Sequence, residues 1–395
     1  MVLTMLLLAT GCDLSGLFGG DADPPPAEAP APDDSDGDDA PEPVAPEEQP
    51  ADDEPSAGES EHDHDTGTDS EEEFGNDVDP DMPEISADML LDGAAGSGDL
   101  RTRESGDPIP SEEGPFPGQG TFRVFCQMSH MNFDDPIVFP GEAGASHAHQ
   151  FLGNTGTNAD STAESIAGSG DSTCTGGIAD RSAYWMPVIV DTAADAVVAP
   201  SFNAVYYQSG FGGVDAESIQ PIPEGLMMIA GDPTRTPSDS GGTGQFGFSN
   251  ARWGCFNGGG APETQGDGTT IPDCSSDQSV TAIINFPQCW DGENLDSEDH
   301  RSHMAYPAGG QCPDSHPVAI PAIMQMWIFP VDGADTSDWR LASDMYPADQ
   351  PGGASLHADF VNGWDAGIMQ RWVDACIRPE LDCERSELGG GESLS

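Results

Sequence analysis

Histidines and carboxylates set among aromatics make up the chemically capable part of this sequence, and they fall in a few short segments. The densest is FPQCWDGENLDSEDHRSHMAYP, Phe286 to Pro307, which carries His300 and His303 one helical turn apart, Asp299 beside them and Arg301 between them. In GASHAHQFLGN, strand alternation puts His147 and His149 on one face, a spacing from which two imidazoles can chelate a metal. In SLHADFVNGW, His357 and Asp359 share a strand face, with Asn362 and Trp364 close behind. His130, ahead of Asp134 and Asp135, either joins such a site or caps a turn, and His316 before Pro317 reads as a structural loop residue.

These residue types suggest two chemistries. Imidazole titrates near neutrality and ligates divalent metals, so His147, His149 and His303 are candidate ligands for zinc, while the oxygens of Asp291, Asp296 and Asp299 could instead hold calcium. His300, Asp299, His357, Asp359, Tyr306 and Arg301 are candidate catalytic groups. A carboxylate pair such as Asp299 with Asp359 could hydrolyse a glycosidic bond. A His or Tyr base with Arg301 as counter-cation could instead eliminate across a uronate. Trp290 and Trp364, with Asn362, would hold a sugar ring by stacking and hydrogen bonding. The competing reading gives every histidine its own structural partner. Separate buried partners for several titratable rings are costly, so His147, His149, His300, His303 and His357 are expected to line one cleft next to Trp290 or Trp364. There is no nucleophile elbow, phosphate loop or HExxH, which argues against serine hydrolase, nucleotide-dependent and zincin chemistry.

Together with FRVFCQMSHMNFDDP, AYWMP, RWGCF and CPDSHPVAIP, the linked SHAH, DHRSH and LHADFVNGW segments resemble the secreted domain-of-unknown-function family numbered 1996, over roughly residues 121–376. That family is common in fungi, often beside WSC carbohydrate-binding modules, and occurs in bacteria. The resemblance implies an exported domain with a carbohydrate partner, a polysaccharide or cell-wall glycan. The corresponding function is a polysaccharide hydrolase or lyase; the alternative is a non-catalytic glycan-binding or metal-stabilised adhesion module.

The elements that must position these groups read as strands. TFRVFCQM, AYWMPVIV, FNAVYYQSG, GLMMIAG, SVTAIINFP and AIMQMWIFP are short, rich in β-branched and aromatic residues, and bounded by turn formers. WDAGIMQRWVDACI reads as a helix capped by Asp365, with Ile368, Trp372 and Cys376 on one face. The expected fold is mainly β, a sandwich or jelly-roll-like domain with long disulfide-braced loops and one C-terminal helix. Apart from Cys12 there are eight cysteines, an even number that fits up to four disulfides. Sequence leaves the pairing open; nearest-neighbour pairing would join Cys255 to Cys274, Cys289 to Cys312 and Cys376 to Cys383, leaving Cys126 and Cys174.

Composition divides the chain. All seven Trp and five Tyr lie beyond residue 120, whereas 13–120 is acid-, Pro- and Gly-rich and reads as a disordered linker. The expected organisation is a signal with lipobox over 1–12, that linker, a globular domain over 121–385 and a flexible tail over 386–395. MVLTMLLLATGC ends in small residues before a cysteine, so Cys12 is a candidate lipidation site, anchoring an exported domain to a bacterial envelope or cell surface. With 71 Asp and Glu against 11 basic residues, all of them Arg, the formal charge is −60. Such a surface lacks the clustered cations that phosphate backbones or anionic lipid headgroups need, so nucleic acid is excluded as a partner and membrane contact is left to the lipid anchor.

Overall fold

The computed structural model describes residues 83–105, 119–209, 211–239, 250–258, 262–264, 268–383 and 385–395. Cys12, the 1–12 signal and most of the 13–120 linker lie outside them. In chain order the principal strands are β1 (Thr102–Glu104), β2 (Thr121–Cys126), β3 (Met128–Asn132), β4 (His149–Gly153), β5 (Ala183–Pro187), β6 (Phe202–Gln208) and β7 (Met227–Gly231). They continue with β8 (Ala251–Phe256), β9 (Ser279–Asn285), β10 (Ala322–Pro330), β11 (His357–Val361), β12 (Asp382–Cys383), β13 (Glu387–Gly389) and β14 (Glu392–Leu394).

Two sheets face each other as a sandwich. One has the order β8-β9-β10-β6-β2-β12 and is antiparallel except for the β12/β2 pair; the other, β3-β4-β5-β11-β7, is antiparallel throughout. Alternation along each strand builds the shared core. Phe122 and Val124 of β2, Val205 and Tyr207 of β6 and Ile323 and Trp327 of β10 meet Tyr184 and Met186 of β5 and Ala358 and Phe360 of β11. The sheets are also tied by polar bonds, with the Tyr184 and Tyr207 hydroxyls 2.6 Å apart and Gln325 Nε2 donating to the Asp359 carbonyl at 3.1 Å.

The C-terminal helix forms where the sequence places it. In α2 (Ala366–Trp372), Asp365 Oδ1 accepts from Ile368 N at 2.9 Å, and the chain continues as a wider turn through Val373–Ile377. Trp372 stacks on Phe122 at 4.9 Å. A short helix, Ala163–Gly168, escapes the sequence reading because one and a half turns carry no readable period; a Thr162/Ser165 capping box defines it instead. Disulfides join Cys126–Cys174, Cys255–Cys274, Cys289–Cys312 and Cys376–Cys383.

Two boundaries differ from the sequence expectation. Residues 83–105, assigned to the linker, lie on the domain: β1 pairs with β14, and bridges join Asp92 to His130, Ser97 to Ser172 and Leu100 to Gly177. The 386–395 tail forms β13 and β14, with Leu388 and Leu394 buried. In both places a few apolar side chains and a ladder of backbone bonds outweigh the polar composition.

Candidate metal centre

The face of the five-stranded sheet turned away from the core carries His149 and Phe151 on β4, Trp185 on β5, Ile229 on β7 and His357, Asp359 and Val361 on β11. Register brings the polar ones together. Phe151 and Asp359 oppose Trp185 from either side, and His149 opposes Pro187. Continuing the β11 register two residues places His357 on the other flank of Pro187, whose small ring leaves space above it. His147, just before β4, completes the group: ring centroids are 4.3 Å apart for His147–His149, 5.2 Å for His147–His357 and 6.0 Å for His149–His357.

Hydrogen bonds fix which nitrogens are free. His149 Nδ1 donates to the Asp134 carbonyl at 3.0 Å and His357 Nδ1 to the Ser355 carbonyl at 2.8 Å, so each ring keeps its Nε2 lone pair. Nε2 of His147 and of His149 is buried without a hydrogen-bond partner. Ligand atoms of His147, His149 and His357 lie within 4.8 Å of one another, as do those of Asp135, His149 and Asp359. Asp135 is secured, its Oδ1 accepting from Ile137 N and Val138 N at 2.9 and 3.0 Å. Asp359 is not: both its carboxylate oxygens are buried and unpartnered. The remaining candidate set, Cys126, Cys174 and Asp180, has both sulfurs locked in a disulfide and offers no thiolate.

Burial dominates the electrostatics of the cluster. Burial, reinforced by the charges of its two neighbours, pushes His147 well below the usual imidazole range; burial also lowers His149 and, with His149 beside it, takes His357 down to about 3. Burial and the Asp135 charge push Asp359 well above the usual carboxylate range. A divalent ion among the rings would satisfy the orphaned nitrogens and favour the ionised carboxylate.

The structure separates the other sequence candidates from this centre. β7 is an edge strand, and the DHRSH loop caps its free carbonyls at alternate residues: His303 Nε2 donates to Met227 O at 2.7 Å, and Arg301 Nη1 to Ile229 O and Gly231 O at 3.4 and 3.0 Å. His303 is therefore an edge cap, not a metal ligand. His300, in a left-handed conformation, pairs with Asp296 at 2.9 Å. Asp299 is a turn cap, its carboxyl held low first by the Ser302 N–H, and its Oδ1 also takes Arg301 N. Tyr306 donates to the Asn285 carbonyl and burial raises its phenol, so it does not serve as a base. Trp364 is 2 % exposed and donates to Tyr207 Oη at 2.8 Å, which leaves no ring face for a sugar. Asn362 donates to the Ile222 and Pro223 carbonyls, and Trp290, half-buried, to the Asn294 carbonyl. Of the expected cleft, His147, His149 and His357 converge with Asp359, while His303 caps the sheet edge and His300 pairs with Asp296 in the same loop. Arg301 links the two groups, since it bonds Gly231, the cross-strand partner of His357.

Asp135 is the site residue that sequence reasoning missed. Its sequence neighbourhood associates it only with His130, a ring that stacks on Phe151 and donates to the Thr157 carbonyl. The Asp-Pro step marked a turn but did not reveal that the turn folds over β4.

No curated protein and no solved structure matches the chain. The family model for a domain of unknown function, DUF1996, matches residues 135–364. That span is narrower than the 121–376 of the sequence resemblance, leaving out β2, β3 and α2, yet it covers more than half of the chain and includes Asp135, His147, His149, His357 and Asp359. The chain belongs to the DUF1996 family.

Proposed function

We propose that His147, His149 and His357 hold one divalent transition-metal ion, and that the domain uses it for hydrolysis or elimination on a polysaccharide outside the cell. The observation that carries this reading is the set of inward-facing imidazole nitrogens left without partners beside an unpartnered buried carboxylate. Nitrogen donors favour zinc or a neighbouring transition metal over calcium, which takes oxygen ligands. Three protein ligands leave a coordination position for water or substrate, and such an ion makes bound water acidic. Asp359, next to His149 and backed by Asp135, is placed to take up or return a proton. Asp359 and Asp135 thus replace the Asp299–Asp359 pair in the hydrolytic reading.

The carbohydrate part rests on the family's company with WSC modules, and surface anchoring on the Cys12 segment. Export agrees with four disulfides. Among the described residues no helix is long and apolar enough to cross a membrane.

A structural metal in a non-catalytic binding module is the second reading, favoured by the burial of His149, His357, Asp135 and Asp359. His147 is half-buried. Elemental analysis of the purified protein, followed by a glycan turnover screen with and without chelator, tests both. The enzyme reading expects about one metal per chain, lost in His149→Ala, and chelator-sensitive turnover with a bell-shaped pH profile. Metal that raises the melting temperature with no turnover favours the binding module, and no metal in wild type ends both.

A further inference from the structure

The loop ahead of β11 contains a further fully buried carboxyl side chain, Asp344, 13 residues before His357 and wired to that ring. His357 is oriented by the Ser355 carbonyl at 2.8 Å. Ser355 is in turn held by Asp344, whose Oδ1 accepts from Ser355 Oγ at 2.6 Å and from Ser355 N at 3.3 Å. The other oxygen of Asp344 accepts from Leu341 N at 2.9 Å and Gly353 N at 2.7 Å. Four donors thus converge on one side chain, and Ser343 Oγ adds a contact to Ser355 Oγ at 2.7 Å.

The rest of the loop is fixed around that carboxylate. Arg340 Nη2 donates to the Asp344 and Tyr346 carbonyls at 3.3 and 2.6 Å, and its guanidinium lies over the Tyr346 ring at 4.6 Å. Gly353, at φ +94°, brings its carbonyl to Trp253 Nε1 at 2.8 Å, and a Cβ there would meet Ile271 at 2.6 Å. Burying a polar side chain is costly unless its hydrogen bonds are met, and here all four are. The result is a carbonyl aimed at His357 Nδ1, which sets the tautomer that frees Nε2.

We propose that Asp344 is a positioning residue for the metal centre, acting through Ser355 to hold His357 in the ligating tautomer and orientation. The proposal rests on the reading of the three histidines as a metal site. Asn has one acceptor oxygen, so Asp344→Asn turns an amide N–H₂ toward two of the four donors and releases Ser355. Ser355→Ala removes the 2.6 Å contact to Asp344 and the 2.7 Å contact to Ser343, leaves the backbone donors on Asp344 in place, and is the gentler variant.

The test uses the full chain with Asp344→Asn, Ser355→Ala and, as a control, Asp180→Asn, which alters another buried carboxylate away from the rings. Cobalt(II) is the probe. In the wild type its visible absorption reports the ligand geometry, and a zinc competition gives the affinity. Asp344→Asn should weaken metal binding by about 10- to 100-fold and change the cobalt spectrum, Ser355→Ala should do the same to a smaller extent, and Asp180→Asn should do neither. Imidazole nitrogen–proton NMR correlations of the metal-free chain should show His357 protonated at Nδ1 in the wild type and a mixed tautomer in Asp344→Asn. If Asp344→Asn does not fold, the Ser355→Ala comparison decides. Wild-type affinity, spectrum and tautomer in the variants would overturn the positioning role. A wild-type chain that binds no cobalt or zinc defeats the metal reading instead, and the tautomer measurement still decides whether Asp344 orients His357.

Discussion

Three imidazoles and two carboxylates form a mostly buried cluster in which several nitrogens and oxygens have no hydrogen-bond partner, a set that could hold a metal ion. Each buried neutral histidine must take up a proton on unfolding in acid, and this gives stability a pH dependence of definite sign. For His357, whose folded value is about 3, the contribution is complete above the ordinary 6.5 and is lost as pH falls through that window. Asp180 has the opposite sign. Buried between the sheets and accepting from Tyr184 Oη at 2.8 Å, it is raised by burial from 3.8 to about 6. The folded state then holds a proton that the unfolded chain has released, and stability falls as pH rises from about 4 to about 6. Asp180→Asn removes that term. Urea unfolding of metal-free protein should show the variant gaining on the wild type by about 3 kcal/mol between pH 4 and pH 6. Parallel curves would show that Asp180 does not hold its proton.

At the scale of elements, the edge strand β7 joins the DHRSH loop to the metal centre, and the two sides of that junction separate experimentally. Gly231 pairs with His357 at φ +87°, and a Cβ on it would lie 2.3 Å from the Leu356 carbonyl oxygen and 2.6 Å from His357 Cα. Gly231→Ala should therefore displace His357 and abolish metal binding while the sheet survives. Arg301→Ala uncaps the Ile229 and Gly231 carbonyls, at a cost of about 1–2 kcal/mol, and removes a positive charge near His357 and Asp359, but takes away no metal-ligating atom and should leave the metal stoichiometry unchanged. Elemental analysis beside thermal melts distinguishes the pair. Loss of metal in both variants would place Arg301 in the centre itself.

On the scale of the whole molecule, the two ends of the domain close on each other. β1 pairs with β14, β13 completes that small sheet, and Leu388 and Leu394 pack into the main core. Deletion of residues 83–105 removes the outer strand and the bridge from Asp92 to His130. The melting temperature should fall by several degrees, consistent with about 1–2 kcal/mol from lost strand pairing and burial. Deletion of 386–395 should cost more, because it also empties the core positions of Leu388 and Leu394. Unchanged melting in both truncations would mean that the terminal sheet adds no stability.

The sequence by itself determined the local features: strand runs from their alternation, the α2 cap at Asp365, cysteines in even number, and the pairing of His147 with His149 and of His357 with Asp359 on common strand faces. Each is a property of neighbours in the chain, where side-chain period and capping chemistry act directly. Tertiary structure decided which of those faces meet. β4 and β11 flank β5, so SHAH and LHAD converge, and no local pattern encodes that strand order. DHRSH looked like the richest site because polar, titratable residues also suit the capping of a bare sheet edge, and only the position of β7 at that edge tells the two uses apart. Trp364 suits a sugar platform or a core position by residue type and spacing, and its indole donates to Tyr207 inside the core. Asp135 and Asp344 lie 12 or more residues from the histidines they serve, and contacts at that separation are set by packing, not by chain period.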